Sequence, residues 1–387
     1  MAVPTSPENR PVDLTGDACI TFTAPFYAEG NPLEPKEACT LPSGDDLDGA
    51  GFLLRRPVSL SPLLQGSLTY GQPTVDLLTT FVGSDEWKGE LQRRLKDLLA
   101  ARAGQSLLDT VDVTGMVFPD GYGSIAVTLH LPGGWEPRHR ESTLAGLGRE
   151  GREPLAAELR SMLLPPAQRL LRRCGAGETV AIPYFNLTYA GSTDHPEPGR
   201  SRLADGMRTL IYPDSPMPLA SHSPWRDEFL FAGYAYNLLA TPAPKAAAEK
   251  FTLLLLILDV SYIRLARTAT AADDVLRNPR HSADTRWLSQ LEHRLRSEYQ
   301  ALVTPTFSYD HHALRTRDAV LRAWEAGNLQ SRAADLLSTV RQTVDLRLAE
   351  DQARRIRRVN LVVAVLTVLS GVATAQAAVS LYDRFFG

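Results

Sequence analysis

The sequence predicts an α+β cytosolic domain, a largely antiparallel sheet with helices, followed by an α-helical region and a long C-terminal helix ending in one transmembrane span. Three observations predict it. Val111–Phe118 and Ser124–Leu131 are alternating apolar runs separated by a glycine-containing turn, the pattern of an antiparallel hairpin. After about residue 225 strand signals stop and helical periodicity takes over. Val359–Tyr382 (VNLVVAVLTVLSGVATAQAAVSLY) then runs for 24 residues without a charged side chain. As a helix rising ~1.5 Å per residue it covers about 36 Å, more than a hydrocarbon core of roughly 30 Å.

In chain order, residues 1–15 are polar and proline-containing, lack the apolar stretch of a cleaved signal, and read as disordered. Gly16–Ala28 is rich in β-branched and aromatic residues and reads as a first strand. Glu29–Gly51 reads as a long loop, Phe52–Leu54 as the start of a short strand, and Val75–Val82 as a strand or a helix start. Asp85–Ala103 is helical, with Trp87, Leu91, Leu95 and Leu98 or Leu99 on one face, Ser84 or Asp85 as its N-cap and Gly104 closing it. Gly121 and Gly123 belong to the hairpin turn, because no helix follows and no third glycine completes a phosphate-binding fingerprint. Leu155–Cys174 reads as a helix pair kinked at Pro165-Pro166. Val180–Tyr189 and Met207–Tyr212 are further strands, and helices are expected on one face of the sheet.

From Trp225 the chain turns amphipathic, and Pro242–Arg267 forms an intensely apolar helix, too short and too flanked by charge to span a bilayer. Thr285–Val303 follows with leucines near an a/d seam. A helix from His312 to Ala326 then stops at Gly327-Asn328. Leu329–Tyr382 holds no proline and only Gly371, so it reads as one helix with Ala333, Leu337, Val340, Val344 and Leu348 as its apolar stripe. The organisation is therefore residues 1–15 disordered, 16–220 an α+β domain, and 225–350 a helical domain and stalk. A basic juxtamembrane segment at 351–358, the span at 359–382 and a short far-side tail at 383–387 complete it.

Charge bounds the function. A net charge of −3 offers no basic excess to displace counterions from phosphate, which excludes nucleic acid as a partner. Cys19, Cys39 and Cys174 form no CxxC pair and suit a reducing compartment. Asp310-His311-His312 and Asp194-His195-Pro196-Glu197 lack metal-ligand spacing, and Asp45, Asp46 and Asp48 lie in a solvated loop. No hydrolase elbow, Walker loop or kinase signature occurs, so no catalytic set, cofactor or metal site is predicted.

The span carries the informative pattern. Arg354, Arg355, Arg357 and Arg358 precede it and place the N-terminal side in the cytoplasm, which makes the chain a tail-anchored, single-pass protein of the cell membrane. Thr367, Ser370, Gly371, Thr374 and Ala378 recur at helical spacing, a face along which helices approach closely. Gln376 adds an amide at membrane depth, and Asn360 lies near the cytoplasmic edge.

The stalk QSRAADLLSTVRQTVDLRLAEDQARRIRRVN running into LVVAVLTVLSGV resembles the CorA-type divalent-cation transporter superfamily, whose long stalk helix enters the membrane. That resemblance implies a cytosolic sensor domain on a helical stalk, in an oligomer. Ser380-Leu381-Tyr382-Asp383-Arg384 stands where the family's Gly-Met-Asn signature belongs, and no second span follows in the sequence, so Mg²⁺ transport does not carry over.

The function expected is a tail-anchored, oligomerising membrane protein with a cytosolic sensor or binding domain, in sharper form a CorA-like channel or membrane effector. Its expected partners are the bilayer, copies of itself and a cytosolic protein. The alternative is a non-conducting adaptor that recruits a soluble partner.

Overall fold

The computed structural model describes residues 17–30, 52–55, 79–103, 110–118, 120–131, 133, 149–173, 179–192, 221–223, 228–277, 285–303 and 311–386. Its strands are β1 (Ala18–Ala28), β2 (Phe52–Arg55), β3 (Thr79–Gly83), β4 (Thr110–Val117), β5 (Tyr122–Leu131), β6 (Val180–Ala181), β7 (Asn186–Ser192), β8 (Phe229–Ala232) and β9 (Tyr236–Thr241). Its helices are α1 (Asp85–Ala103), α2 (Arg149–Arg173), α3 (Pro244–Arg277), α4 (Thr285–Val303), α5 (His311–Ala323) and α6 (Ala326–Phe386). The chain divides into two compact units, one of Met1–Thr268 with Glu298–Ser331 and one of Ala269–Ser297 with Arg332–Gly387.

The first unit is built on one sheet in the order β2-β3-β4-β5-β1-β7-β9-β8, with β6 paired to β1. Every described pairing is antiparallel except β7 with β9. β1 sits at the centre because its alternation suits burial on both faces: Ala18, Ile20, Phe22, Ala24 and Phe26 point one way, and Cys19, Thr21 and Thr23 the other.

The two faces differ in chemistry. The first is aliphatic and aromatic, and packs on Leu91 and Leu95 of α1 and on Leu155, Leu159, Leu163, Leu170 and Leu171 of α2. The second carries Thr21, Thr23, Ser124, Asn186, Thr188 and Asn237, all buried. It is covered by α3, whose Leu256 meets Met116 and Ala126 and whose Val260 and Ile263 meet Tyr122. Helices therefore lie on both faces, where the sequence suggests one. Alternation with threonine and asparagine resembles a solvated face, and only the apolar run of α3 shows that it is covered.

Other differences have local causes. Strand structure continues past residue 225 as β8 and β9, a segment whose aromatic residues mimic an amphipathic helix. Val180–Tyr189 is two strands, since Pro183 lies in the gap between β6 and β7 and cannot donate to a ladder. α2 runs through Pro165-Pro166 as one helix. Each interior proline costs about 3 kcal/mol, offset by buried leucines before and after the pair. The α5–α6 boundary falls at Trp324-Glu325, before Gly327: Glu325 takes φ 53° and accepts the Asn328 N–H at 3.0 Å. α6 is accordingly 61 residues long and starts earlier than Leu329.

Several expectations hold closely. α1 has the bounds anticipated, and Ser84 Oγ accepts the Trp87 N–H at 3.3 Å as its N-cap. α4 also has the bounds anticipated. Its last carbonyls, Leu302 and Val303, accept the buried Arg317 guanidinium at 2.5 and 2.8 Å, a cation at a helix C-terminus. Met207–Tyr212, most of Glu29–Gly51, Asp45, Asp46, Asp48 and Asp194–Glu197 lie outside the described residues.

In the second unit, α6 buries Ala333, Leu336, Val340 and Val344, and α3 and α4 bury Ala272, Val275, Leu288, Leu291 and Leu295. Arg332 pairs with Asp273. Leu348, expected in the stripe, is exposed.

The hairpin glycine gives a stability test. A Cβ on Gly123 would lie 2.2 Å from Phe26 Cζ and 2.6 Å from the Met116 carbonyl oxygen, whereas nothing lies within 4 Å of one on Gly89 in α1. Gly123→Ala is expected to destabilise the chain by about 2 kcal/mol or more, and Gly89→Ala to stabilise it by about 0.5–1 kcal/mol. Denaturant unfolding of the two variants measures the contrast.

Candidate functional site

Four segments of the first unit converge on one pocket. The β6–β7 link and the start of β7 bring Tyr184, Phe185 and Asn186; the β8–β9 turn brings Tyr234 and Ala235; α3 brings Tyr262; the α5–α6 boundary brings Trp324. The opening measures about 60 Å³ as room for the centre of a water-sized sphere, space for roughly four to six waters. Its lining is mostly aromatic, and Tyr262 meets Trp324 edge-on at 5.7 Å. Tyr234 stands at the rim, 72 % exposed.

Each segment is fixed by its own bonds. The Gly233 N–H donates to the Tyr236 carbonyl at 2.9 Å and closes the β8–β9 turn, while the Leu187 N–H donates to the Ala235 carbonyl and ties that turn to β7. Positive φ at Glu325 ends α5 so that Trp324 is held at the junction. The indole Nε1 of Trp324 is buried without a hydrogen-bond partner among the described residues.

Beneath the pocket lies Asp259, fully buried on α3. Its Oδ1 accepts from Tyr184 Oη at 3.2 Å and from Asn186 Nδ2 at 3.0 Å. Its Oδ2 has no partner among the described residues. Burial pushes the carboxyl from 3.8 up to about 8, against the opposing hydrogen bonds of Tyr184 and Asn186 and the nearby Thr23 hydroxyl, which makes no hydrogen bond among the described residues. Burial, then the carboxyl, raises the Tyr184 hydroxyl well above its usual range. At neutral pH both groups are uncharged, so the floor is a neutral hydrogen-bonded unit under an aromatic wall.

The anchoring of α3 positions this floor. Arg264 donates to Asp120 at 2.5 Å and lies 4.2 Å from the Phe118 ring centroid. Arg267 lies 3.9 Å from the Tyr27 centroid and donates to the carbonyls of Ala28 and Gly30 and to Tyr122 Oη.

A second cluster lies at the far end of the same sheet face. Cys19 Sγ is 3.4 Å from His130 Nδ1, and His130 Nε2 is 2.8 Å from Asp112 Oδ2. The order resembles a nucleophile, base and orienting carboxylate. Yet Cys19 is buried, and burial pushes its thiol up to about 11, so it stays protonated and shielded. The cluster reads as structural. Among the described residues no group of three or more metal-ligating side chains converges.

The residues singled out in the span all lie on α6. Its apolar stretch is exposed throughout, with Leu361 at 67 %, and this helix alone among those described is long and apolar enough to cross a membrane. Thr367 and Thr374 hydroxyls donate to carbonyls one turn back, Val363 at 2.8 Å and Ser370 at 2.7 Å, and Ser370 donates to the Thr367 carbonyl at 3.2 Å. At 3.6 residues per turn, Thr367, Gly371, Thr374 and Ala378 share one face, with Ser370 at its flank. Gln376 lies roughly opposite that face and does not join it. Arg354, Arg355, Arg357 and Arg358 are exposed on the turns before the span.

Sequence reading missed the pocket. Asp259 is visible only as a charge ending an apolar run, and Tyr184, Tyr234, Tyr262 and Trp324 are too far apart in sequence to form a motif.

The buried carboxyl sets a pH dependence. Its folded pKa lies above its unfolded value, so its contribution to stability is complete below about pH 4 and is lost as pH rises through about 8. Stability should fall across that window by up to about 1.4 kcal/mol per pH unit. In D259N, which keeps an acceptor for Tyr184 and Asn186, the slope should flatten. Denaturant unfolding at pH 5, 7 and 9 checks this, and parallel slopes in both proteins would refute it.

No protein-family model, curated protein or solved structure matches this chain, and the site is read from its own geometry.

Proposed function

We propose that this protein is a membrane-anchored binding module, with α6 as its single span and the sheet unit presenting the aromatic pocket on the cytoplasmic side of the cell membrane. The observation that carries this reading is the exposed apolar third of α6, in a chain whose sheet unit has a closed core of its own. Leu and Val contribute about −0.3 to −0.6 kcal/mol each at the centre of a span, while Arg costs about 2.5–3.5. The boundary therefore falls after Arg358, and the basic turn before it supports cytoplasmic placement.

The module is non-enzymatic in this reading. The pocket floor is neutral, and the Cys19 thiol is buried. Self-association proceeds through Thr367, Gly371, Thr374 and Ala378, whose small side chains permit close helix contact. Conduction is not part of the proposal. The span's threonine and serine hydroxyls are satisfied within their own helix and leave few groups to line a pore. The adaptor therefore stands ahead of the CorA-like channel, and the resemblance contributes a stalk-and-span layout alone.

Membrane fractionation tests the anchor. The full chain should stay with membranes through an alkaline carbonate wash, and a chain ending at Glu350 should be released; full-length protein recovered without detergent would sink the proposal. For self-association, Gly371→Leu is informative because nothing lies within 4 Å of an added Cβ, so α6 itself tolerates it. Cross-linking in detergent should show the full-length oligomer reduced to monomer in this variant.

A further inference from the structure

The pocket's walls are rings from four separate segments: Tyr184, Tyr234, Tyr262 and Trp324. Ring faces carry negative quadrupole charge and attract a cation held among them. The surrounding charge has the same preference. Among the described residues, no lysine or arginine lines the pocket. Glu325 follows Trp324 directly and acts electrostatically on the Tyr262 hydroxyl.

Elsewhere in this unit comparable rings already hold cations. Arg264 lies over Phe118 and Arg267 over Tyr27. Tyr184, Tyr234, Tyr262 and Trp324 bring four more rings together around an open space. The space is too small for a nucleotide or a sugar chain and matches a compact, weakly hydrated head. An ammonium that keeps its N–H donors needs several acceptors around it, whereas the wall offers mainly ring faces. Alkyl substitution on nitrogen removes that demand and adds apolar contact.

We propose that this pocket binds a quaternary ammonium group of the choline type. The assignment rests on the binding-module reading and names its ligand class. The head can come from a free small molecule or from a phosphatidylcholine lipid, since both present the same trimethylammonium.

The experiment uses the full chain in phosphatidylglycerol nanodiscs, titrated with choline chloride and followed by tryptophan emission. Choline should give a saturable change, and its neutral isostere 3,3-dimethylbutanol should bind at least about tenfold more weakly, because shape without charge lacks the ring attraction. Tyr234 is 72 % exposed, so Tyr234→Ala leaves the core intact; it should weaken choline binding about tenfold, while Tyr234→Phe stays within about threefold. In phosphatidylcholine nanodiscs an unchanged choline titration identifies a soluble ligand, and loss of the response through prior occupancy identifies the lipid head. Equal affinity for the isostere, or no saturable response in phosphatidylglycerol discs, would overturn the assignment. A chain that inserts into discs but ignores choline overturns the cation alone, whereas one that fails to insert overturns the anchor.

Discussion

The docking of α3 on a polar sheet face is the constraint on which the rest of the first unit depends. A helix on an aliphatic surface can slide or rotate at small cost, because apolar burial has no direction. On this face every hydroxyl and amide left unpaired costs about 1–3 kcal/mol, so only some positions of the helix are tolerable. Thr21 pairs with Thr128 at 3.1 Å, Asn237 with Thr188 at 3.2 Å, and Ser124 with the Ala24 carbonyl at 3.1 Å. Those bonds satisfy the sheet within itself. What remains is matched by α3: Asn186 and Tyr184 to Asp259, and the hairpin to Arg264 and Arg267. Translation and rotation of α3 are fixed together, and the position of Tyr262, one turn beyond Asp259, follows.

The two faces therefore divide the work. The first, with α1 and α2, supplies most of the apolar burial and is tolerant of detail in the way closely packed aliphatic cores are. The second supplies register and geometry, at a cost visible in the polar atoms that stay unpaired among the described residues: Thr23 Oγ1, Thr252 Oγ1 and Asp259 Oδ2. Two of these three belong to the floor beneath the pocket or lie beside it. A neutral Asp259 is the least costly form of such a floor, since an ionised carboxylate there would add the desolvation of a full charge.

Legibility in the sequence followed the range of the physics. α1, α4 and the β4–β5 hairpin are set by local periodicity, caps and turn glycines, and their bounds were readable within a residue or two. β8 and β9 were not, because short aromatic runs satisfy helical and strand patterns alike until a partner strand is known. The stop at Trp324-Glu325 escaped because a glutamate with positive φ leaves no compositional trace, while the nearby Gly327 offers a false one. For the site the contrast is sharper. The span is a property of one contiguous stretch and was legible. The pocket depends on β7, the β8–β9 turn, α3 and the α5–α6 boundary meeting in space, and nothing in any one of them announces the others.

The span itself follows from the same accounting of polar groups in a different solvent. In hydrocarbon an unpaired hydroxyl has no water to turn to, so in the proposed span the back-bonding of the Thr367, Ser370, Thr374 and Ser380 hydroxyls is what would let these four side chains enter lipid. Their satisfaction means that the self-association proposed for the small face would act by shape, through close approach of backbones, without interhelical hydrogen bonds. Gln376 is the exception, being an amide too long to fold back on its own turn and set opposite that face. Its depth resolves the conflict. It lies six residues before Tyr382, about 9 Å from the end of the apolar run at 1.5 Å per residue, where a polar side chain reaches toward the interface and costs less than at the midplane. Contact between copies through Thr367, Gly371, Thr374 and Ala378 and placement of Gln376 near the far interface are thus compatible in one helix.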